Sequence, residues 1–196
     1  TVLAPTGTIS FFMGCDTTGI EPELSLVKYK SMVDGGHMKI VNESVPRALK
    51  NLGYNENDIK DILDNYIEPY DSIFSLSSKE KAPLLSEHKA IFDCAFSSGR
   101  GGRFISWQGH LKMLAAVQPF LSGGISKTVN GPNEATVEDI ENIYIEAWKL
   151  GLKSISIYRD GSKNYQVLNT QQVKSNTPKK PTRTKLPDTR DAFTHK

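Results

Sequence analysis

The sequence predicts an α/β fold, on the strength of one crossover near its C-terminal end. Residues 125–129 and 152–158 have the apolar content of buried strands, and the clearest helical pattern of the chain, residues 135–150, lies between them. A strand, a helix and a second strand in this order form a βαβ unit with parallel strands. Thr136 and Asp139 have the spacing of a capping box, which marks the start of that helix.

The bend near the N-terminus is the candidate functional site. An apolar lead-in over residues 2–4 reads as the end of a buried strand, and Pro5 then stops the sheet. The small residues that follow have backbone amides that can surround an anion, and residues 9–13 are predicted to open a helix with its positive end toward it. We therefore predict a phosphate-binding corner made of Thr6, Gly7, Thr8, Ile9 and Ser10.

A capped turn that binds no ligand is the alternative that this pattern leaves open, since short motifs are weak signals by themselves. The segment of residues 16–19 follows closely, and it either braces the corner or forms a simple turn of its own.

The next part of the chain predicts a hairpin and two helices. Apolar residues recur with a period close to two on both sides of the Gly35-Gly36 pair, between residues 24 and 41, which is a hairpin signal. Residues 43–52 and 55–67 have helical spacing, and Gly53 separates them. The faces of the second helix are acidic, which argues against a helix that enters a DNA groove.

One further helix is predicted in the middle of the chain, over residues 106–121 with Pro119 near its end. Residues 69–83 and 97–103 are rich in Ser, Gly and charge and are expected to form loops, with a short apolar segment, residues 87–96, between them.

The composition divides the chain into a body, residues 1–164, and a basic tail, residues 165–196. The tail loses the apolar period and carries seven Lys or Arg against two Asp, so we expect a disordered linker. A nucleic-acid-binding arm is the less favoured interpretation, because the seven basic residues are dispersed among Pro and Thr. The formal net charge of the whole chain is only +2, which calls for neither nucleic acid nor a membrane as partner.

The cysteines and histidines suggest no catalytic or metal centre. Cys15 and Cys94 form no CxxC pair and fit a reducing cytoplasm, where each is expected to act as a small hydrophobic residue. The four histidines share no metal-ligand spacing, although His110 is a candidate to face a cavity. No apolar run is long enough to cross a bilayer. We therefore expect a cytoplasmic protein with no metal site in this chain.

Several separated blocks resemble class II ribonucleotide reductases, the enzymes that depend on adenosylcobalamin (vitamin B12). The resemblance runs from the first residue to about Ser162 and keeps the order of the family. The blocks are Ala4-Pro5-Thr6-Gly7-Thr8-Ile9-Ser10, Cys15-Asp16-Thr17-Thr18-Gly19-Ile20-Glu21-Pro22, Ala115-Ala116-Val117-Gln118-Pro119-Phe120, Ile125-Ser126-Lys127-Thr128-Val129-Asn130, Ala135-Thr136-Val137-Glu138-Asp139-Ile140 and Ala147-Trp148-Lys149-Leu150-Gly151-Leu152-Lys153.

This resemblance implies the C-terminal part of a ten-stranded α/β barrel, incomplete in this chain. It implies that residues 5–10 bind the phosphates of a ribonucleoside di- or triphosphate, in agreement with the corner predicted from the residues. For the parent enzyme it implies adenosylcobalamin, thiyl-radical chemistry that yields 2′-deoxyribonucleotides for DNA synthesis, a thioredoxin-type reductant and a homodimer.

The chain also departs from the family pattern. The Asn-x-Cys-x-Glu motif with the radical cysteine and the redox cysteine pair lie upstream in the family and have no match here, and the tail lacks cysteine. Gly131 stands where the family usually has a bulkier residue. We therefore expect a fragment with no catalytic residue of its own that joins an N-terminal part of the reductase. A non-catalytic phosphate- or nucleotide-binding module is the alternative function.

Overall fold

Two short sheets organise the protein in a computed structural model that describes residues 1–31, 37–67, 71–74, 84–97, 103–163 and 168–169. One sheet is antiparallel with three strands, and the other consists of two parallel strands. Each sheet packs against its own helices and has its own hydrophobic cluster. No closed barrel is present among the described residues.

The predicted hairpin is confirmed. Strand β1 (Val27–Ser31) pairs antiparallel with β2 (His37–Val41), and Val27 lies opposite Val41. The turn at the glycine pair lies outside the described residues. Strand β5 (Leu168–Asn169) adds to the other edge of β1, with Tyr29 opposite Asn169.

This strand corrects the expectation of disorder throughout residues 165–196, because the open edge of β1 supplies backbone partners to Leu168 and Asn169. The rest of that tail lies outside the described residues, so the boundary between 164 and 165 stays a prediction.

Both predicted helices after the hairpin are present. Helix α2 (Ser44–Asn51) accommodates Pro46 in its first turn, and helix α3 (Glu56–Ile62) continues into a π-helical turn, Leu63–Ile67. The Asn55 side chain caps α3 by accepting a hydrogen bond from the Asp58 amide at 2.9 Å. These helices bury apolar residues against the hairpin. This first cluster includes Val27, Tyr29, Val45, Leu49, Ile62, Ile67 and Ile73.

The segment between the predicted loops is a 3₁₀ helix, Ser86–Phe92, that leads to the buried Cys94. Most of residues 69–83 and 97–103 lie outside the described residues.

The βαβ crossover is confirmed. Helix α4 (Trp107–Val117) precedes β3 (Thr128–Gly131), α5 (Val137–Lys149) and β4 (Ser156–Arg159), and β3 pairs parallel with β4. Pro119 lies in a 3₁₀ turn directly after α4, as expected for a residue that cannot continue the helix. The second cluster joins these elements and consists of Leu111, Leu114, Ile125, Val129, Ile143 and Ala147.

Several strand boundaries differ from the prediction, and β4 begins at Ser156 rather than at residue 152. Strand β3 begins at Thr128 rather than at Ile125, which makes a single parallel bridge to Leu3. The buried strand predicted over residues 2–4 is wrong beyond that bridge, because Val2 is 66% exposed and Ala4 is exposed. Of residues 2–4, Leu3 is the one that packs against the second cluster. In the described part of the chain, no helix has both the length and the apolar character to cross a membrane.

Candidate functional site

The bend is the first turn of a short helix rather than a loop ahead of one. Helix α1 (Gly7–Phe12) begins two residues before the predicted Ile9. The Thr6 carbonyl accepts a hydrogen bond from the Ser10 amide at 2.8 Å and so closes the first turn. Thr6 itself is left-handed, with φ of 50°, so the chain reverses sharply between Pro5 and the helix.

The segment of residues 16–19 braces this turn. Of the two alternatives for this segment, a brace or a simple turn of its own, the first is therefore confirmed. The Gly19 amide donates to Thr6 Oγ1 at 3.0 Å, and the Thr6 and Ser10 hydroxyl oxygens lie 3.2 Å apart. Gly19 has φ of 55°, and a Cβ there would stand 3.2 Å from the Ala4 carbonyl oxygen. A side chain at position 19 would therefore be strained and would push the two segments apart.

The five predicted site residues divide into two groups. Gly7, Thr8 and Ile9 are exposed and come first in α1, so their amides have no acceptor within the helix. Thr6 is half-buried and Ser10 is only 9% exposed, and the Ser10 amide is used by the helix. The structure thus offers three amides at the helix end and two hydroxyl side chains that hold them. α1 has no acidic residue in its first turn to occupy that positive end.

A buried cation lies near the bend, which the sequence analysis missed. Lys28, on β1, donates to the Asp16 carbonyl at 2.9 Å and to Glu23 Oε1 at 2.8 Å, and it is only 8% exposed. Lys28 and Gly7 line the same cavity, of about 380 Å³. Alternation along β1 gave no signal for this residue, because a lysine on a hairpin strand is normally solvated.

A second polar group links the parallel sheet to the segment that follows the bend. Lys127 Nζ lies 2.7 Å from His110 Nδ1 and donates to Glu21 Oε2 at 3.2 Å, while the Thr128 amide donates to Glu21 Oε1 at 2.6 Å. Burial lowers the pKa of Lys127, and the Glu21 carboxylate opposes that shift. Burial, followed by the charge of Lys127, lowers the pKa of His110 to about 4.

The expectation that His110 faces a cavity is confirmed: it lines a cavity of about 200 Å³ with Lys127 and Glu21. Neither its link to Lys127 nor the contact of Lys127 with Glu21 has a sequence signal, because the partners are 17 and 106 positions apart.

The two cysteines differ in environment. Cys94 is buried, as predicted, and burial raises the pKa of its thiol to about 12, so it is an inert thiol at neutral pH. Cys15 is exposed, which corrects the expectation of a buried residue, because the end of α1 places it at the surface beside Gly14. Within the described ranges, no three His, Cys, Asp or Glu side chains come together as a metal site.

Comparison with known proteins gives a consistent result. The family model described as ribonucleotide reductase, barrel domain, matches residues 1–158. A vitamin B12-dependent ribonucleotide reductase of Rhodopirellula baltica is 52% identical over 100% of this chain and 20% of its own length. One of Streptantibioticus cattleyicolor is 48% identical over 98% of this chain and 32% of its own length. The chain therefore spans between a fifth and a third of these relatives.

A more distant relative and a solved structure agree with these matches. A vitamin B12-dependent ribonucleoside-diphosphate reductase of Mycobacterium tuberculosis is 35% identical over 89% of this chain and 22% of its own length. The alpha subunit of a class Id ribonucleotide reductase of Actinobacillus ureae superposes with a TM-score of 0.50 at 24% identity, over 81% of this chain and 26% of that subunit. At 24% identity, the superposition supports a similar fold and carries no information about function.

Proposed function

The chain belongs to the ribonucleotide reductase barrel-domain family, and from this premise we propose that it is part of a vitamin B12-dependent enzyme that reduces ribonucleotides to 2′-deoxyribonucleotides. The identity of 48–52% to relatives that carry this name supports the proposal. On the same basis, the two sheets of this chain form part of the wall of a ten-stranded barrel. Family membership favours this enzyme over a non-catalytic nucleotide-binding module.

Within that enzyme, we propose that Thr6, Gly7, Thr8, Ile9 and Ser10 bind the phosphates of a ribonucleoside di- or triphosphate. The observation that carries this role is the exposed first turn of α1, where three amides lack an intrahelical acceptor. A helix end with free amides attracts phosphate through hydrogen bonds and through the partial positive charge of the helix. Thr6 and Ser10 would contribute their hydroxyl groups, which lie 3.2 Å apart and also hold that turn in place.

The cavities beside the bend and beside His110, in the part of the chain that the structure describes, do not fit adenosylcobalamin. The cavities beside the bend and beside His110 measure about 380 and 200 Å³, which suits a drug-sized ligand or a smaller one and not a corrin ring. We assign the cofactor, the radical cysteine and the redox cysteine pair to parts of the enzyme outside this chain. A thioredoxin-type reductant, a homodimer and a cytoplasmic location belong to the same proposal.

The replacement Gly7→Asp in the complete enzyme tests the phosphate role. A Cβ at Gly7 would meet no atom within 4 Å, so a side chain does not fill the turn, and the effect of Asp is one of charge. A carboxylate beside the phosphates should raise the KM for the ribonucleotide roughly 10-fold or more. The affinity for the matching ribonucleoside, which has no phosphate, should not change.

Gly7→Asn is the matched control, because an asparagine side chain has nearly the same size and shape as the aspartate of the first variant and carries no charge. We expect its KM to stay within about threefold of the unmodified enzyme, since no like-charge repulsion arises. Equal values of KM for the Asp variant, the Asn variant and the unmodified enzyme would refute phosphate binding at α1. Family membership would stand in that case, and the phosphate site would have to be sought elsewhere.

A further inference from the structure

A further cavity, of about 350 Å³, lies between β3 and the segment of residues 16–24. Pro5, which precedes the bend, also lines it. Three residues line both this cavity and the one beside Gly7, so the two cavities are neighbours. The shared residues are Asp16, Thr18 and Lys28. A ligand held at the first turn of α1 therefore has a second compartment beside it.

The wall formed by β3 and the residues before it is polar, because side chains alternate along a strand. Ser126, Thr128 and Asn130 line this cavity. Lys127 and Val129 belong to the opposite side, where Lys127 lines the cavity of about 200 Å³ and Val129 is part of the second cluster. Three polar residues at every second position thus present two hydroxyl groups and one amide to a single space.

The amide of Asn130 is the strongest indication that a ligand binds here. Asn130 is only 7% exposed, and its side chain has no hydrogen-bond partner among the described residues. In that part of the chain, the unpartnered polar side-chain atoms that are sealed from solvent are Ser25 Oγ and His110 Nε2. The Asn130 amide is not one of them, so it is open to the cavity that it lines. Buried polar groups in folded proteins nearly always have a partner, and a ligand in the cavity would supply one.

The charges around the cavity disfavour a phosphate and favour a group that donates hydrogen bonds. Three carboxylates line it, those of Asp16, Glu21 and Glu23. Lys127 balances Glu21 at 3.2 Å, and Lys28 balances Glu23 at 2.8 Å. Asp16 has no ion pair within the described ranges. Its carboxylate would repel an anion in this space, whereas hydroxyl and amino groups can donate to it.

We propose that this cavity binds the uncharged nucleoside part of the ribonucleotide and that Asn130 is the residue that hydrogen-bonds it. The inference rests on the proposed phosphate role of α1, which would place the phosphates at the bend and the nucleoside beside it. The hydroxyl groups of a ribose and the polar edge of a base both contain groups that match the amide of Asn130 and the hydroxyls of Ser126 and Thr128. The volume of about 350 Å³ lies within the usual range of small-molecule sites.

Equilibrium binding of cytidine and of pyrophosphate to the complete enzyme tests the two compartments separately. Asn130→Ala should weaken the binding of cytidine roughly 10-fold, the value of one or two hydrogen bonds, and should leave pyrophosphate binding unchanged. Gly7→Asp should show the opposite pattern. Asn51→Ala, the same replacement at an exposed position at the end of α2, is the matched control and should change neither affinity.

Thermal unfolding separates a binding role of Asn130 from a structural one. Because its amide has no partner among the described residues, Asn130→Ala should not lower the Tm of the unliganded enzyme. The rise in Tm on addition of the ribonucleotide should become smaller in the variant, because the ligand binds less tightly. A lower Tm without ligand, together with an unchanged affinity for cytidine, would assign a structural role to Asn130 and would overturn the inference.

Ribose 5-phosphate identifies the part of the nucleoside that Asn130 contacts. It has the sugar and no base, so Asn130→Ala should weaken its binding if the amide contacts the ribose and should leave it unchanged if the amide contacts the base. Equal affinities of the Asn130 variant and the unmodified enzyme for cytidine would refute this inference. The phosphate role would then still stand if Gly7→Asp weakens pyrophosphate binding, and it would fail by itself if Gly7→Asp has no effect.

Discussion

Thr6 holds a backbone conformation that β-branched residues seldom adopt. Its φ of 50° costs of the order of 1–3 kcal/mol, and the hydrogen bond from the Gly19 amide and the contact with the Ser10 hydroxyl offset that cost. Strain of this kind concentrates at functional sites, which agrees with the proposed role of the bend. Pro5, Thr6 and Gly7 are small or rigid residues, so the sequence predicted a turn here. The sequence did not predict that Thr6 would be the left-handed residue, because the neighbouring Gly7 is the residue type that normally adopts this conformation.

The low pKa of His110 predicts a pH dependence of stability. In the unfolded chain the ring gains its proton near pH 6.5, and in the folded protein only near pH 4. Below pH 6.5 the unfolded state therefore binds more protons, and the free energy of unfolding should fall by roughly 3 kcal/mol as the pH drops from 6.5 to 4. Denaturant titrations at several pH values measure this loss.

His110→Gln is the control for this effect, because Gln has no proton to gain in that range. The carboxylates titrate in both proteins, so the difference between their two pH profiles isolates the imidazole. Parallel profiles from pH 6.5 to 4 would contradict a neutral, buried His110.

At the scale of elements, the patterns of apolar spacing located most helices and strands and left their ends uncertain. The βαβ unit was predictable because a long amphipathic helix separates two apolar segments. The start of β3 at Thr128 was not predictable, because the apolar character of Ile125 also favours a strand. Ile125 instead makes a single bridge to Leu3, a residue far away in the sequence. Strand β5 was missed because a two-residue strand depends on the free edge of β1 and has no periodicity.

The capping box of α5 gives a prediction at this scale. The Thr136 hydroxyl accepts a hydrogen bond from the Asp139 amide at 3.1 Å, and Asp139 Oδ2 accepts from the Thr136 amide at 2.8 Å, so two free amides are satisfied. The contacts with Thr136 lower the pKa of Asp139. Thr136→Ala should lower the free energy of unfolding by about 1 kcal/mol, measured by chemical denaturation.

Thr136→Ser keeps the hydroxyl and is the matched control, with an expected change of only a few tenths of a kcal/mol. If the Ala and Ser variants lose the same stability, the methyl group and not the cap would be responsible.

At the scale of the whole molecule, the protein has two hydrophobic clusters that share few contacts. Backbone hydrogen bonds from Ala95 to Glu23 and from Ile105 to Cys94 connect them, together with an edge-on contact between the rings of Phe96 and Tyr158 at 6.2 Å. The sequence predicted the helices and strands of both clusters. It did not predict the contacts that connect one cluster to the other. The Lys28 and Lys127 contacts were equally out of reach, because each joins residues that only the fold brings together.

Two core replacements test how far the clusters depend on each other. Leu49 in the first cluster and Leu114 in the second are 0% and 1% exposed, so Leu49→Ala and Leu114→Ala should each cost roughly 2–5 kcal/mol. Hydrogen exchange should accelerate most at the amides of β1 and α2 in the Leu49 variant, and at those of β3 and α5 in the Leu114 variant. Uniform acceleration across both clusters in each variant would instead indicate one cooperative unit.

The two glycines of the bend are under different constraints, and this has a consequence for natural variation. Position 19 favours glycine because a side chain there would be strained and crowded against the Ala4 carbonyl, whereas position 7 has open space and an ordinary backbone. A larger residue at position 19 should therefore destabilise the fold. Changes at position 7 are free of that requirement, so a restriction on them across relatives would reflect something other than folding, such as the proposed phosphate binding.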